Sequence, residues 1–218
     1  MSAGFDPETG LGPRLRLARE QRQLSVRELA RRIGCSASLV SQIERGVSVP
    51  SVGVLYSLAT ELDTSLDHLL FGAEQRRPAG PAPGAEAPGT VAPGVVAAGT
   101  VAPCIVQRAV GRNIIDLASG VRWERLTPGA DAMTDFLEVI YSPGGHSTDE
   151  RRPLRHDGHE YGLVISGTLQ ANVGFESYEL GPGDSIAFDS ATPHEYLNKT
   201  GEPVHAIWVV VHSAPGRA

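Results

Sequence analysis

Between Ala73 and Pro103 the chain reads AEQRRPAGPAPGAEAPGTVAPGVVAAGTVAP, a run of Pro, Gly and Ala with few large side chains. GTVAP occurs twice, at 89–93 and 99–103, as low-complexity sequence rather than as a structural repeat. Such a segment has almost nothing to bury and cannot offset the entropy of its own ordering. It therefore divides the 218 residues into two blocks, each of which must find its own core. A flexible tether of about 30 residues has an r.m.s. reach of roughly 30 Å and transmits no rigid rotation. Coupling between the blocks then needs direct domain contact, ordering of the tether, or the geometry of a dimer. A fixed site shared between the blocks is not expected.

The blocks differ in charge. Leu11 to Pro50 holds eight Arg against three Glu, whereas Val101 to the end holds nine Lys plus Arg against fifteen Asp plus Glu. A basic front block suits a polyanion and an acidic rear block does not. No run of about 18 apolar residues occurs, so no membrane span is expected. MSAGFDPETG lacks the basic and apolar regions of a secretory signal. Cys35 and Cys104 lie far apart and read as free thiols of a cytoplasmic protein.

Residues 11–72 carry helical signals. PRLRLAREQRQ places Leu15, Ala18 and Arg22 at helical spacing. Ser25 with Glu28 forms a capping box for VRELARRI, which Gly34 ends. Ser36 caps ASLVSQIERG, with Leu39, Val40 and Ile43 inward and Gly46 as its stop. VGVLYSLATEL then turns Leu55, Leu58, Ala59 and Leu62 to the core, and SLDHLLFG closes the unit. Two short helices joined by a Gly-containing turn predict a helix-turn-helix. The outward positions of the third helix, Ala37, Ser38, Ser41 and Gln42, are small or amide-bearing. That helix, entered at Ser36, can enter a major groove with Gln42 at a base edge. Arg27, Arg32 and Arg45 lie where phosphates would pass.

The stretch LSVRELARRIGCSASLVSQIERGVSVPSVGVLYSLATEL resembles the Cro/C1-type (XRE) DNA-binding family in helix order, in its S-x-IE-x-G pattern and in the proline after the turn. Many members carry a glutamine where this chain has Val26. The resemblance implies double-stranded operator DNA as partner, bound through Arg27, Ser36, Ala37, Ser38, Ser41, Gln42 and Arg45.

Residues 104–213 alternate short β-prone runs with Gly/Pro turns. The runs are VRWERLT, DFLEVIYS, EYGLVIS, LQANVG, ESYEL, SIAFD, HEYLN and VHAIWVVV. Their spacing predicts a sandwich or barrel, mainly antiparallel, with Phe136, Val139, Val164, Phe188 and Trp208 filling or lining the interior. The motif order resembles the cupin family, a jelly-roll barrel. Its first motif, a His-x-His followed by Glu and Gly, reads here Leu154-Arg155-His156, Glu160, Gly167. Its second reads Pro182, Gly183 displaced by one position, His194 and Asn198. Leu154 stands in the place of the first histidine.

The resemblance implies a metal held by His156, Glu160 and His194, a 2-His-1-carboxylate triad for a divalent ion such as Fe, Zn, Mn or Ni. On a straight strand residues four apart are roughly 13 Å distant, so the chain must bend between His156 and Glu160, and Asp157-Gly158 is a suitable turn pair. His159, one position off, turns to the other face, and His146 lies toward the mouth. An effector pocket would be lined by His156, Glu160, His194, Phe136 and Phe188. The expected architecture is thus multidomain: an all-α five-helix domain at 11–72, a flexible linker at 73–103 and an all-β cupin domain at 104–213. The expected function is a transcriptional regulator, dimeric through the cupin domain, that senses a small molecule or metal and is not an enzyme. The alternative is a non-haem Fe(II) enzyme. The stretch around His156–Glu160 resembles the iron-binding segment of the hydroxypropylphosphonate epoxidase family, which also joins a helix-turn-helix-like domain to a cupin. That family uses a lysine of its helical domain at the iron, and the single lysine here is Lys199.

Overall fold

The computed structural model describes residues 10–72, 105–129, 131, 133–148 and 153–212. The expected linker at 73–103 and Cys104 lie outside the described residues. Five helices form the front block: α1 (Leu11–Gln21), α2 (Val26–Ile33), α3 (Ala37–Glu44), α4 (Val52–Leu62) and α5 (Leu66–Phe71). The Ser25, Ser36 and Ser65 hydroxyls accept from the backbone N–H groups of Glu28, Leu39 and His68, each at 3.1 Å. These bonds satisfy donors that have no intrahelical partner. Ser51 precedes α4 without making the side-chain cap bond. Gly34 ends α2 at φ 70°, a left-handed conformation that favours glycine. Leu15, Leu29, Val40, Ile43, Leu55, Leu58 and Leu69 form the centre of the bundle. Arg22 caps the end of α1 and donates to the Leu62 carbonyl; it is not on the apolar face.

One ion pair fastens α3 from behind. Arg19 Nε and Nη2 donate to Glu44 Oε1 and Oε2 at 2.6 and 3.1 Å, and Nη1 donates to the Leu24 carbonyl at 2.8 Å. Both side chains are about nine-tenths buried. A two-point guanidinium–carboxylate contact fixes orientation as well as distance.

Among the described residues the rear block has nine strands: β1 (Ile114–Asp116), β2 (Val121–Arg125), β3 (Thr134–Tyr141), β4 (His159–Ser166), β5 (Leu169–Val173), β6 (Glu176–Leu180), β7 (Ser185–Asp189), β8 (His194–Leu197) and β9 (Val204–Val211). They pair antiparallel in a six-stranded sheet, β1-β2-β3-β9-β4-β7, and a three-stranded sheet, β6-β5-β8. β1 is the strand that periodicity does not announce, because three residues are too few to alternate. Val139, Val164, Leu169, Ala171, Ala206 and Trp208 face the interior.

Phe136 does not face inward. It lies on the outer face of the six-stranded sheet, 37% exposed, opposite Val209. β3 buries the other parity: Asp135, Leu137, Val139 and Tyr141. The buried Asp135 is tolerated because its Oδ2 bonds His212 Nε2 at 2.8 Å. Phe136 is therefore removed from the pocket residues expected above. Phe188 is half-buried against the core, as expected.

Gly162 of β4 sits opposite Trp208 of β9. A Cβ there would lie 2.4 Å from Trp208 Cζ3. Gly162→Ala is expected to cost about 1–3 kcal/mol through overpacking, read as a lower denaturation midpoint at unchanged slope.

The two blocks touch directly. The Gly53 N–H of α4 donates to the Ser147 carbonyl at 3.1 Å, and the Ala118 N–H donates to the Pro50 carbonyl at 3.3 Å. The Arg125 guanidinium lies over the Phe71 ring, 4.9 Å from its centroid. Buried apolar residues of both blocks join in one cluster.

Candidate metal centre and DNA-reading helix

Three side chains converge at the mouth of the barrel. Glu160 points inward from β4, His194 opens β8, and His156 lies in the segment ahead of β4. Gly158, at φ 115°, makes the bend that brings His156 back toward Glu160. A Cβ at Gly158 would meet the Val211 carbonyl oxygen at 2.3 Å, so the bend passes close under β9. His156 Nε2 and His194 Nε2 lie 2.6 and 3.1 Å from Glu160 Oε1. All three ligand atoms fall within 4.8 Å of one another, and all three residues are buried.

The hydrogen bonds set the histidine tautomers. His194 Nδ1 meets the Thr192 carbonyl at 2.8 Å, and His156 Nδ1 meets the Asp157 carbonyl at 3.3 Å. A carbonyl only accepts, so each Nδ1 carries a proton, and each Nε2 faces Glu160 Oε1 across a gap that a shared proton or a bound cation fills. Neither Nε2 has an aligned hydrogen-bond partner, although both are buried. Two ring nitrogens and a carboxylate aimed at one buried point require a proton or a cation between them. Burial raises the Glu160 carboxyl, yet the two histidines outweigh it and hold the group down at about 2. Glu160 Oε2 is occupied by the Tyr196 hydroxyl, which donates at 2.7 Å. The Tyr196 hydroxyl is pushed well up by burial and by the Glu160 charge, so it stays a donor. This donor set fits a divalent ion with three protein ligands and open positions.

His159 is exposed on the outer face, as its parity implies. His146 sits in an isolated bridge with Leu197 and is not part of the triad. Leu154 pairs with His194 through two backbone bonds, 2.7 and 3.0 Å, and its side chain is buried. An apolar group thus stands where a further histidine would have added a ligand. Asn198 is fully buried: its amide donates to the Tyr141 and Glu202 carbonyls, and its oxygen accepts from Thr200. It organises a turn and ligates nothing.

The expectation that no fixed site is shared between the blocks is overturned. The Tyr56 ring of α4 stacks on His156, centroids 4.0 Å apart at 8°. It meets Trp123 edge-on at 6.1 Å. Tyr56 and Val52 close a cavity of about 30 Å³ that Trp123, Tyr141, Tyr196, Trp208 and Glu160 also line. That volume holds one or two waters, not a drug-sized molecule. The physical reason is that docking depends on the surface that α4 presents, which the composition of residues 73–103 does not encode.

At the other end of the front block, Ser36, Ser38 and Arg45 are exposed, Ser41 and Gln42 are half-buried, and Arg27 is exposed on α2. Ala37 is half-buried and touches the core, so it offers less surface than its outward position implied. Gln42 Nε2 reaches Ser38 Oγ at 3.4 Å, and Arg45 contacts Ser41 Oγ. Arg32 is engaged by Glu28 and Glu61 at 2.8 and 2.7 Å, which competes with any phosphate contact. Val26 packs against the core.

Residues 15–69 match the helix-turn-helix family and residues 137–210 match the cupin domain family. The chain belongs to the XRE-type helix-turn-helix transcriptional regulators that carry a cupin domain. The regulator is 26% identical over 196 residues to the HTH-type transcriptional regulator PuuR of Escherichia coli (strain K12), covering 88% of this chain and 90% of that one. It shares its fold with an HTH_3 family transcriptional regulator from Vibrio cholerae: TM-score 0.62, 22% identity, 95% of this chain and 98% of that one covered. The hydroxypropylphosphonic acid epoxidase from S. wedmorenis aligns with 95% of this chain and 100% of its own at 19% identity and TM-score 0.42, a likeness too slight to bear on activity. No helix among the described residues is long and apolar enough to cross a membrane.

Three participants were not anticipated from the regulator's sequence: Tyr56, Tyr196 and the Arg19–Glu44 pair. A signal existed for the first. Val52 and Tyr56 lie four apart, beside the stripe of Leu55, Leu58, Ala59 and Leu62. A helix apolar on two faces has two partners to cover.

Proposed function

We propose that the regulator reads operator DNA through α3 and senses a divalent cation, or a small molecule carried on it, at His156, Glu160 and His194. The supporting observation is the pair of buried Nε2 atoms, 2.6 and 3.1 Å from one carboxylate oxygen and without an aligned hydrogen bond to it. The cavity beside Glu160 is too small for a large organic effector. The working units are residues 11–72 and 104–213, with the 73–103 segment as connector, in a cytoplasmic homodimer. The outer face of the six-stranded sheet exposes Phe136, Tyr161, Leu163, Ile165 and Val211, a contiguous apolar surface that supports pairing through the cupin domain. Sedimentation of the full chain measures that; a monomer at micromolar concentration contradicts it.

In this reading Gln42 addresses a base edge, Ser36, Ala37, Ser38 and Ser41 line the groove, and Arg27 and Arg45 meet phosphates. An operator-shift titration with the chain's own upstream DNA tests it. Gln42→Ala should lose about 1–3 kcal/mol of preference for the operator. Arg45→Ala should weaken binding to every sequence and lower the salt slope by about 1. Equal losses from both variants on operator and random duplex would contradict the assignment of Gln42. The enzymatic reading retains one supporting feature, the triad's open positions. Oxygen consumption by the Fe(II)-loaded protein measures it, and none is expected because the helical domain carries no lysine.

A further inference from the structure

We propose that Tyr56, a residue of the DNA-binding domain, is a positioning residue of the barrel's cation site, so that filling the site and docking α4 are linked. This rests on the reading of His156, Glu160 and His194 as a cation centre. The Tyr56 ring covers the face of the His156 imidazole at 4.0 Å and is itself buried. A ligated imidazole loses electron density to the ion, and its attraction to the tyrosine π-face rises. An ion in the site therefore favours the docked helix. The contact is not free to slide: the Gly53 and Ala118 N–H bonds pin the start of α4 to the barrel, and Gly53 abuts Leu154.

The link reaches the DNA face by rigid parts. α4 is tied to α2 through Arg32 and Glu61, α2 packs on α3, and Ser36, Ser38 and Arg45 stay exposed while α4 is docked. Docking thus holds α3 at one attitude to the barrel without covering it. The ion raises operator affinity, and by reciprocity the operator raises ion affinity by the same factor, roughly tenfold.

The test uses the full chain and Mn(II) as probe. Mn(II) binding is followed by electron paramagnetic resonance with and without upstream DNA, and operator affinity is followed with and without Mn(II). The wild type should show equal shifts of about tenfold in both titrations. Tyr56→Leu should still bind Mn(II) and DNA but lose both shifts. Tyr56→Phe should keep them, because the stack uses the ring and not the hydroxyl. Gly53→Leu, which pushes α4 off Leu154 while leaving the three ligands untouched, should lose them too. Shifts that survive in Tyr56→Leu and Gly53→Leu, or Mn(II) binding by the wild type with no shift, would overturn the linkage alone. Failure of the wild type to bind Mn(II) at all would overturn the cation centre, and the linkage with it.

Discussion

His156→Ala is expected to lower divalent-cation affinity by more than about 100-fold, since even outer-shell changes at metal sites cost 10- to 100-fold. It removes one of three ligand atoms that meet within 4.8 Å. The loss is visible as stability. A cation present at about 100 times its Kd should add about 2.7 kcal/mol to the wild type. The variant should gain none at the same concentration. Glu160→Gln should abolish the gain as well, because it removes the carboxylate from the three converging ligand groups. Thermal melts of all three proteins with and without Mn(II) measure this. A full Mn(II)-dependent gain in His156→Ala would show that the ion binds elsewhere. Operator affinity without added cation should change little in His156→Ala, since the triad meets the helical block through Tyr56 of α4 and the ion that strengthens that stack is then absent.

The second large effect belongs to Arg19. Arg19→Ala leaves Glu44 without its partner and nine-tenths buried at the end of α3. Breaking a buried pair on one side costs about 3–5 kcal/mol. A helical domain of about 60 residues has little more stability than that to lose. Operator binding should therefore disappear at 37 °C while Mn(II) binding by the barrel persists at reduced strength. Replacing both partners, Arg19→Met with Glu44→Leu, should restore much of the loss, because no orphan charge remains. Circular dichroism during urea titration distinguishes the cases, with a separate helical transition expected only in the single variant.

The helical block was legible because its information is local. Ser25, Ser36, Gly34 and the 3.6-residue apolar spacing act within a few residues of themselves, and the structure places them as caps, stop and core. The strands were legible for the same reason, apart from β1. What was not legible depends on parity or on distant partners. β3 offers apolar groups on both faces, so nothing in TDFLEVIY says that Leu137 and not Phe136 faces the core; the buried Asp135–His212 bond, 77 residues apart in sequence, settles it. The triad residues were identifiable by motif and their bend by Asp157-Gly158. Their cover was not, because Tyr56 lies 100 residues from His156 and on the far side of a segment that suggested independence. Arg19 and Glu44 become partners only through the fold, which brings α1 behind α3 across 25 residues of sequence.

The proposed coupling of a DNA-reading helix to a cation-sensing barrel makes them one regulatory unit. Its most direct measurement is a competition titration of the intact chain between its own upstream DNA and random duplex at about 150 mM salt, repeated with saturating Mn(II). A preference of at least about 1,000-fold for the upstream site is expected, strengthened further by Mn(II). Equal affinity for both duplexes under both conditions, from a folded protein, would contradict it.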